Sequence, residues 1–229
     1  MFQTWQHLIL VCLSAALLAV LGVNIRLHVQ LRRSRYQATH DSTTGLANRH
    51  AVTTYLRKAL RQGRSIGLVL IDLDRFKAIN DIYGHEHGND VLAEIANRLD
   101  TLTRPVLFAA RLSGDEFALV VDGGTEHSAA AAHAALRVIT RAPVRTSNRA
   151  ITVTASVGHA TAGLGTSVRD LLHTADLAMY QAKRRGRATV HGATTEALGV
   201  GGGPRSRDLP RDTTEPAQRP IGRVYRTRD

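Results

Sequence analysis

The stretch Ser65-Ile-Gly-Leu-Val-Leu-Ile-Asp-Leu73 constrains the fold of this chain more than any other segment. It is apolar almost without interruption as far as Asp72 and lacks the polar alternation of a half-exposed strand. Such a run reads as a strand buried on both faces, in the middle of a sheet covered by helices. It ends in acid, at Asp72 and Asp74. Strand ends and loop tips are where functional groups gather, so these carboxylates are the first candidates for chemistry.

Period and breakers order the rest of the chain. Ala47 to Leu60 reads as a helix, with Val52, Leu56 and Leu60 spaced by four. A short helix follows from Arg75 to Asn80, and after the Tyr83-Gly84 break Asn89 to Leu99 sets Leu92, Ile95, Ala96 and Leu99 on one face. Val106–Leu112 and Glu116–Val121 read as two strands joined through Ser113-Gly114-Asp115, whose small residues suit a tight hairpin. His127 to Thr140 is an alanine-rich helix, and Ala150 to Thr161 alternates as a strand. Ser167 and Asp170 form a capping box for a helix with the stripe Val168, Leu171, Leu172, Ala175, Met179 and Ala182, and Ala188 to His191 is a last short strand. The predicted order βααββαβαβ makes an α/β chain with a mixed sheet (α+β) and helices packed on it.

The two ends differ from this middle. No Asp, Glu, Lys or Arg occurs from Met1 to Ile25, and Leu8 to Val23 is apolar throughout, enough for the roughly twenty residues of a spanning helix. Arg26, Arg32, Arg33 and Arg35 all follow it, which argues for an anchor rather than a cleaved signal and leaves the N-terminus outside with the remainder cytoplasmic. The expected organisation is a transmembrane anchor over 1–25, a basic juxtamembrane linker over 26–38, one globular domain over 39–192 and a disordered basic tail over 193–229. In a bacterium this is a single-pass protein of the inner (cytoplasmic) membrane. Cys12 is the lone cysteine, so the chain offers no internal disulfide and no cysteine zinc site. The net charge of +11 invites a nucleic-acid partner. Its distribution does not: the first arginines would face anionic lipid, and Arg205, Arg207, Arg211, Arg219, Arg223, Arg226 and Arg228 are scattered through the tail. No specific nucleic acid is expected.

The acids Asp72 and Asp115, with basic residues nearby, suit a metal-bound polyphosphate. Mg²⁺ takes hard oxygen ligands and seldom more than one or two protein carboxylates, the rest coming from water and phosphate. No Gly-x-x-x-x-Gly-Lys-Ser/Thr loop is present, so lysines and metal would have to hold the phosphates. Bland readings stand beside this one. Asp72 and Asp74 could cap the next helix, and Asp74 reads as structural. Lys183 to Arg187 could compensate a helix dipole before Gly186. His85 and His87 are too few for a metal site, and Arg111 reads as a structural strand residue.

Six motifs in order resemble the GGDEF domain of the diguanylate cyclase family. They are Asp41-Ser-Thr-Thr-Gly-Leu-Ala-Asn-Arg49, Asp72-Leu-Asp-Arg-Phe-Lys-Ala-Ile-Asn80, Gly84-His-Glu-His-Gly88, Ala110-Arg-Leu-Ser-Gly-Asp-Glu-Phe117, Thr154-Ala-Ser-Val-Gly158 and the run from Ala175 to Arg187. The resemblance implies a nucleotidyl-cyclase-like domain that joins two GTP into cyclic di-GMP with release of pyrophosphate. It also implies Mg²⁺ or Mn²⁺ as cofactor and a homodimer in which each subunit presents one GTP to the other. By position, Asp72, Asp115 and the carbonyl of Leu73 would ligate the metal, and Glu116 would be a further ligand or help activate the 3′-hydroxyl. Lys77, Lys183 and Arg187 would hold the β- and γ-phosphates, Asn80 would contact the guanine edge, and Ser113-Gly114 would let backbone approach the phosphates.

The chain departs from the family pattern at named places. Ser113 stands where the first glycine usually is, which costs about 1 kcal/mol only if that residue needs positive φ. Asn89 stands where an Asp usually accepts two hydrogen bonds from guanine; an amide accepts one and offers an NH₂ where the second acceptor is wanted. Thr43 replaces the usual Leu. The product-inhibition frame Arg-x-x-Asp reads Arg104-Pro-Val-Leu107, so feedback through that site is expected to be absent or weak. The alternative function is a catalytically degenerate GGDEF module that binds nucleotide or a protein partner.

Overall fold

The computed structural model describes residues 2–147 and 149–194, with side chains from residue 20 onward apart from 35 and 194. In chain order the elements are α1 (Phe2–Thr39), β1 (Ala47–Asn48), α2 (Arg49–Arg61), β2 (Ile66–Leu73), α3 (Phe76–Tyr83), α4 (His85–Asp100), β3 (Val106–Ser113) and β4 (Glu116–Asp122). They continue with α5 (Thr125–Thr140), β5 (Val144–Arg145), β6 (Ala150–Ile151), β7 (Ala155–Thr161), α6 (Val168–Arg184) and β8 (Val190–Thr194).

The apolar run is β2, and it lies inside a six-stranded sheet of order β1-β3-β4-β2-β7-β8. It is antiparallel to both neighbours, β4 and β7, while the edge strands β1 and β8 run parallel to β3 and β7. Successive residues of a strand point to opposite faces, and β2 uses both. Val69, Ile71 and Leu73 join a core with α3, α4 and α5 on one side, whereas Ile66, Leu68 and Leu70 join a second core with α2 and α6 on the other. The same alternation turns Asp72 toward α6.

On that side α6 rests directly on β7. A Cβ on Gly158 would collide with the backbone nitrogen of Met179 and the carbonyl of Ala175, so only glycine admits this approach. The helix begins at the predicted capping box, with Ser167 Oγ accepting from Asp170 N at 3.2 Å and Asp170 Oδ2 accepting from Ser167 N at 3.4 Å.

Several elements differ from the sequence expectation, each for a local reason. The helix predicted from Ala47 starts at Arg49, because Ala47 and Asn48 pair in parallel with Ala110 and Arg111 and Asn48 caps the helix through Ala51 N at 3.1 Å. The strand predicted over Ala150–Thr161 is broken: β6 turns back to pair with β5, and β7 starts afresh at Ala155. The last strand starts at Val190 because Ala188 has φ +48°, outside the extended region. The sequence expectation therefore lacks β1, β5 and the break between β6 and β7, and it has α1 only as the spanning segment over 1–25.

Residues 26–38, expected as a linker, are the last part of the continuous helix α1. Among the described residues no helix is long and apolar enough to cross a membrane. The apolar side chains up to residue 19, on which the expected anchor rests, lie outside the described residues. Of the disordered tail expected over 193–229, Ala193 and Thr194 instead close β8, paired with Ala160 and Thr161 of β7, and residues from 195 onward lie outside the described residues.

Candidate active site

Three acids converge where β2 ends beside the β3–β4 turn. Asp72 lies opposite Glu116 in the antiparallel register of β2 and β4, and the Leu73 amide donates to the Asp115 carbonyl at 3.3 Å, tying the strand end to the turn. Gly114 carries the positive φ of that turn, +51°, whereas Ser113 keeps a negative one. The serine in the first glycine position therefore carries no left-handed backbone penalty. Its hydroxyl donates to Glu116 Oε2 at 3.0 Å, and Arg49 Nη2 stands 3.4 Å from the same oxygen.

From α6, Lys183 Nζ reaches Asp72 Oδ2 at 2.7 Å. An ion pair that short would ordinarily lower the pKa of the acid, but burial prevails. The Asp72 side chain is 15 % exposed, and burial pushes its carboxyl up to about 6, with Lys183 pulling down and the charges of Asp115 and Glu116 pushing up. Burial likewise raises Asp115 above the ordinary carboxylate range.

The other sequence candidates surround this cluster without joining it. Lys77 is exposed in the first turn of α3, and Arg187 is exposed just after α6; among the described residues neither forms an ion pair with the acids. The Asn80 carboxamide sits where a Cβ on Gly88 would be, which sets it beside the residue preceding Asn89. Asn89 itself is exposed on α4. A separate cleft of about 500 Å³, lined by His40, Tyr55, Asn97, Asp100 and Phe108 among others, contains none of these acids.

Among the described residues no group of three or more His, Cys, Asp or Glu side chains is arranged as a ready-made metal cage. The donor chemistry nonetheless fits a hard divalent cation. Beyond burial, the charges of Asp115 and Glu116 raise the proton affinity of Asp72, that of Glu116 raises Asp115, and Lys183 is the cation against Asp72. A magnesium-type ion that takes one or two carboxylates and completes its shell with phosphate matches that set.

Local sequence pattern missed the contacts of two residues. Arg49 meets Glu116 across 67 positions, a contact that no periodicity signals. Arg111, read as a structural strand residue, is 11 % exposed and bridges the turn to the segment after α1: Nε donates to the Gly114 carbonyl at 2.9 Å and Nη1 to Asp41 Oδ1 at 2.9 Å. Burial alone would raise Asp41, but hydrogen bonds from Arg111 and Thr44 outweigh it and hold the carboxyl below its usual range. Asp74, read as structural, is buried and bonded to Thr154 and Ser156 on the neighbouring strand side.

The family model described as "Diguanylate cyclase, GGDEF domain" matches residues 38–189. The chain belongs to the GGDEF family. It is 35 % identical over 179 residues to the diguanylate cyclase VdcA of Vibrio cholerae, covering 72 % of this chain and 50 % of that protein. It is 39 % identical over 160 residues to an uncharacterized signaling protein of Caulobacter vibrioides, covering 67 % of this chain and 20 % of that protein. The chain thus spans half or less of the length of these two relatives. Among solved structures, the coiled coil and GGDEF domain of DgcB from Caulobacter crescentus, in complex with c-di-GMP, superposes with a TM-score of 0.70 at 30 % identity, covering 79 % of this chain and 99 % of that one. Its GGDEF signature here reads Ser113-Gly114-Asp115-Glu116-Phe117.

Proposed function

We propose that this GGDEF protein is a diguanylate cyclase that condenses two GTP into cyclic di-GMP with loss of two pyrophosphates, as a homodimer with Mg²⁺ or Mn²⁺. The observation that carries the reading is the meeting of Asp72, Asp115 and Glu116 beside Lys183 at the end of β2. Each bond-forming step joins a 3′-oxygen of one nucleotide to the α-phosphorus of the other, expels pyrophosphate and releases the hydroxyl proton. Such phosphoryl transfer depends on positioning and on neutralising charge rather than on covalent help from the protein.

Asp72, Asp115 and the Leu73 carbonyl would hold the metal, which supplies charge neutralisation on the polyphosphate. Lys183 leaves Asp72 for a phosphate oxygen when nucleotide arrives, and Lys77 and Arg187 take the outer phosphates. Glu116, steadied by Ser113 and Arg49, receives the hydroxyl proton or adds a ligand. Asn80 and Asn89 face the base. The apolar segment 8–23 followed by Arg26, Arg32 and Arg33 supports a single-pass anchor in the cytoplasmic membrane with the domain on the cytoplasmic side.

Asn89 favours a second reading, a nucleotide- or partner-binding module without turnover. Incubating the protein with GTP, ATP or both and divalent metal, beside an Asp115→Ala control, decides between them. Cyclic di-GMP by mass spectrometry that disappears in the control supports the cyclase; a folded protein that binds GTP and yields no product refutes it.

A further inference from the structure

Asp74 follows the catalytic strand end, and its contacts run away from the metal-binding acids toward the segment that carries Arg187. Its side chain is 8 % exposed. Oδ1 accepts from Ser156 Oγ at 2.7 Å, and Oδ2 accepts from Thr154 Oγ1 at 2.8 Å and from the backbone N–H of Ala188 at 3.1 Å. Its own amide donates to the Thr154 carbonyl at 2.8 Å. The residue is thereby immobilised on β7, and one carboxylate oxygen is left to grip the chain beyond α6.

What it grips needs holding. Gly186, Arg187 and Ala188 have φ of +115°, +66° and +48°. Three successive residues in the left-handed region, two of them with a Cβ, form a conformation that an unsupported chain avoids and that persists only where its surroundings enforce it. Two ties bracket it. The Arg187 amide donates to the Ala182 carbonyl at 3.4 Å, and the Thr189 carbonyl accepts from Val157 N at 3.0 Å. The Ala188 N–H between them ends on Asp74, a charge-assisted bond of the stronger class. Asp72, two residues earlier, pairs with Lys183 in the last turn of α6, just before this segment.

We infer that Asp74 is a positioning residue: by fixing the left-handed backbone at Arg187–Ala188 against β2, it sets Arg187 at the height of the catalytic acids, where the outer phosphates of a nucleoside triphosphate lie. The inference rests on the cyclase reading above for the identity of the ligand. Asp74 touches no substrate itself. Its contribution is to aim a cation, so its loss weakens recognition of the triphosphate tail and leaves recognition of the base alone.

The test measures binding of GTP and of GMP, each with Mg²⁺, to the full chain and to Asp74→Asn, Arg187→Ala and the double variant. Asp74→Asn keeps the shape but replaces one acceptor with a donor. The expected result is a loss of about tenfold in GTP affinity with less than about twofold in GMP affinity, repeated in Arg187→Ala and not deepened in the double variant. Arg98→Ala serves as the structural control: it removes a buried guanidinium that donates to the Ile139 and Ala142 carbonyls away from Asp74, lowers Tm and leaves the GTP-to-GMP ratio unchanged. Equal losses for the two nucleotides, or additive losses in the double variant, overturn the inference. Wild-type protein that binds neither nucleotide overturns instead the reading beneath it. Hydrogen exchange of the wild type gives an answer should Asp74→Asn not fold. The Ala188 amide is then required to exchange as slowly as the amides inside α6, and fast exchange sinks the proposal.

Discussion

Replacing Asp72 with Asn is expected to stabilise the protein at neutral pH while abolishing its activity. The buried Asp72 carboxyl is pushed from an ordinary 3.8 up to about 6 despite its bond to Lys183. Held ionised at pH 7, it therefore works against folding by roughly 3 kcal/mol, at about 1.36 kcal/mol per pH unit of displacement. The sign follows from proton binding. Between 3.8 and about 6 the folded state holds more protons than the unfolded state, so stability falls as pH rises through that window and is fully recovered below it. Asn cannot ionise, so the variant avoids the loss. Urea unfolding of both proteins at a series of pH values from about 4 to 7.5 should show no difference at the acid end, apart from the exchange of one polar group for another, and a growing advantage for the variant of up to roughly 3 kcal/mol above pH 6. A variant less stable than wild type at pH 7 would refute the reasoning, because it would mean that the Asp72–Lys183 pair returns more than the burial of its carboxylate takes away. GTP with Mg²⁺ should then raise Tm for the wild type alone.

Three further outcomes are expected. Gly158→Ala drives a Cβ into the backbone of α6 at Met179 and Ala175 and should destabilise by about 3 kcal/mol or more, read as a lower urea midpoint. Arg111→Ala removes the partner of Asp41 and the donor to the Gly114 carbonyl; it should lower stability by about 2 kcal/mol at pH 7. Because Asp41 titrates below its usual range, the wild type loses this contribution as pH falls and the variant does not, so the two unfolding curves should converge in acid. Asn89→Asp supplies a second acceptor for guanine and should raise the preference for GTP over ATP by about tenfold, measured as competitive binding or as the ratio of kcat/KM.

The parts of this architecture legible in the sequence are those written in local pattern. The double-faced β2 announces itself through eight consecutive positions, and the start of α6 through Ser167 and Asp170. Asp72, Asp115 and Glu116 were legible because they stand at a strand end and a hairpin tip. Elements that exist only through partners were not. Ala47 and Asn48 look like a helix start until Ala110 and Arg111 arrive beside them. The break between β6 and β7 depends on Thr154 turning its carbonyl to Asp74. Arg187 and Ala188 carry no residue-type signal for positive φ, since the force that keeps them there comes from a carboxylate 114 positions earlier than Ala188.

The absence of a side chain at Gly158 makes the seat of α6 a pivot. Where a helix stands off a sheet on a layer of side chains, rotamers can adjust and the separation has some give. At Gly158 backbone meets backbone, so the helix cannot sink closer and retains only sliding and rocking about that point. Lys183 lies one turn beyond Met179, near the fulcrum, where rocking displaces it least. The reach of the lysine over Asp72 is thus set by a residue with no functional group. Drift along the sheet surface remains open to this scaffold, whereas drift toward it does not.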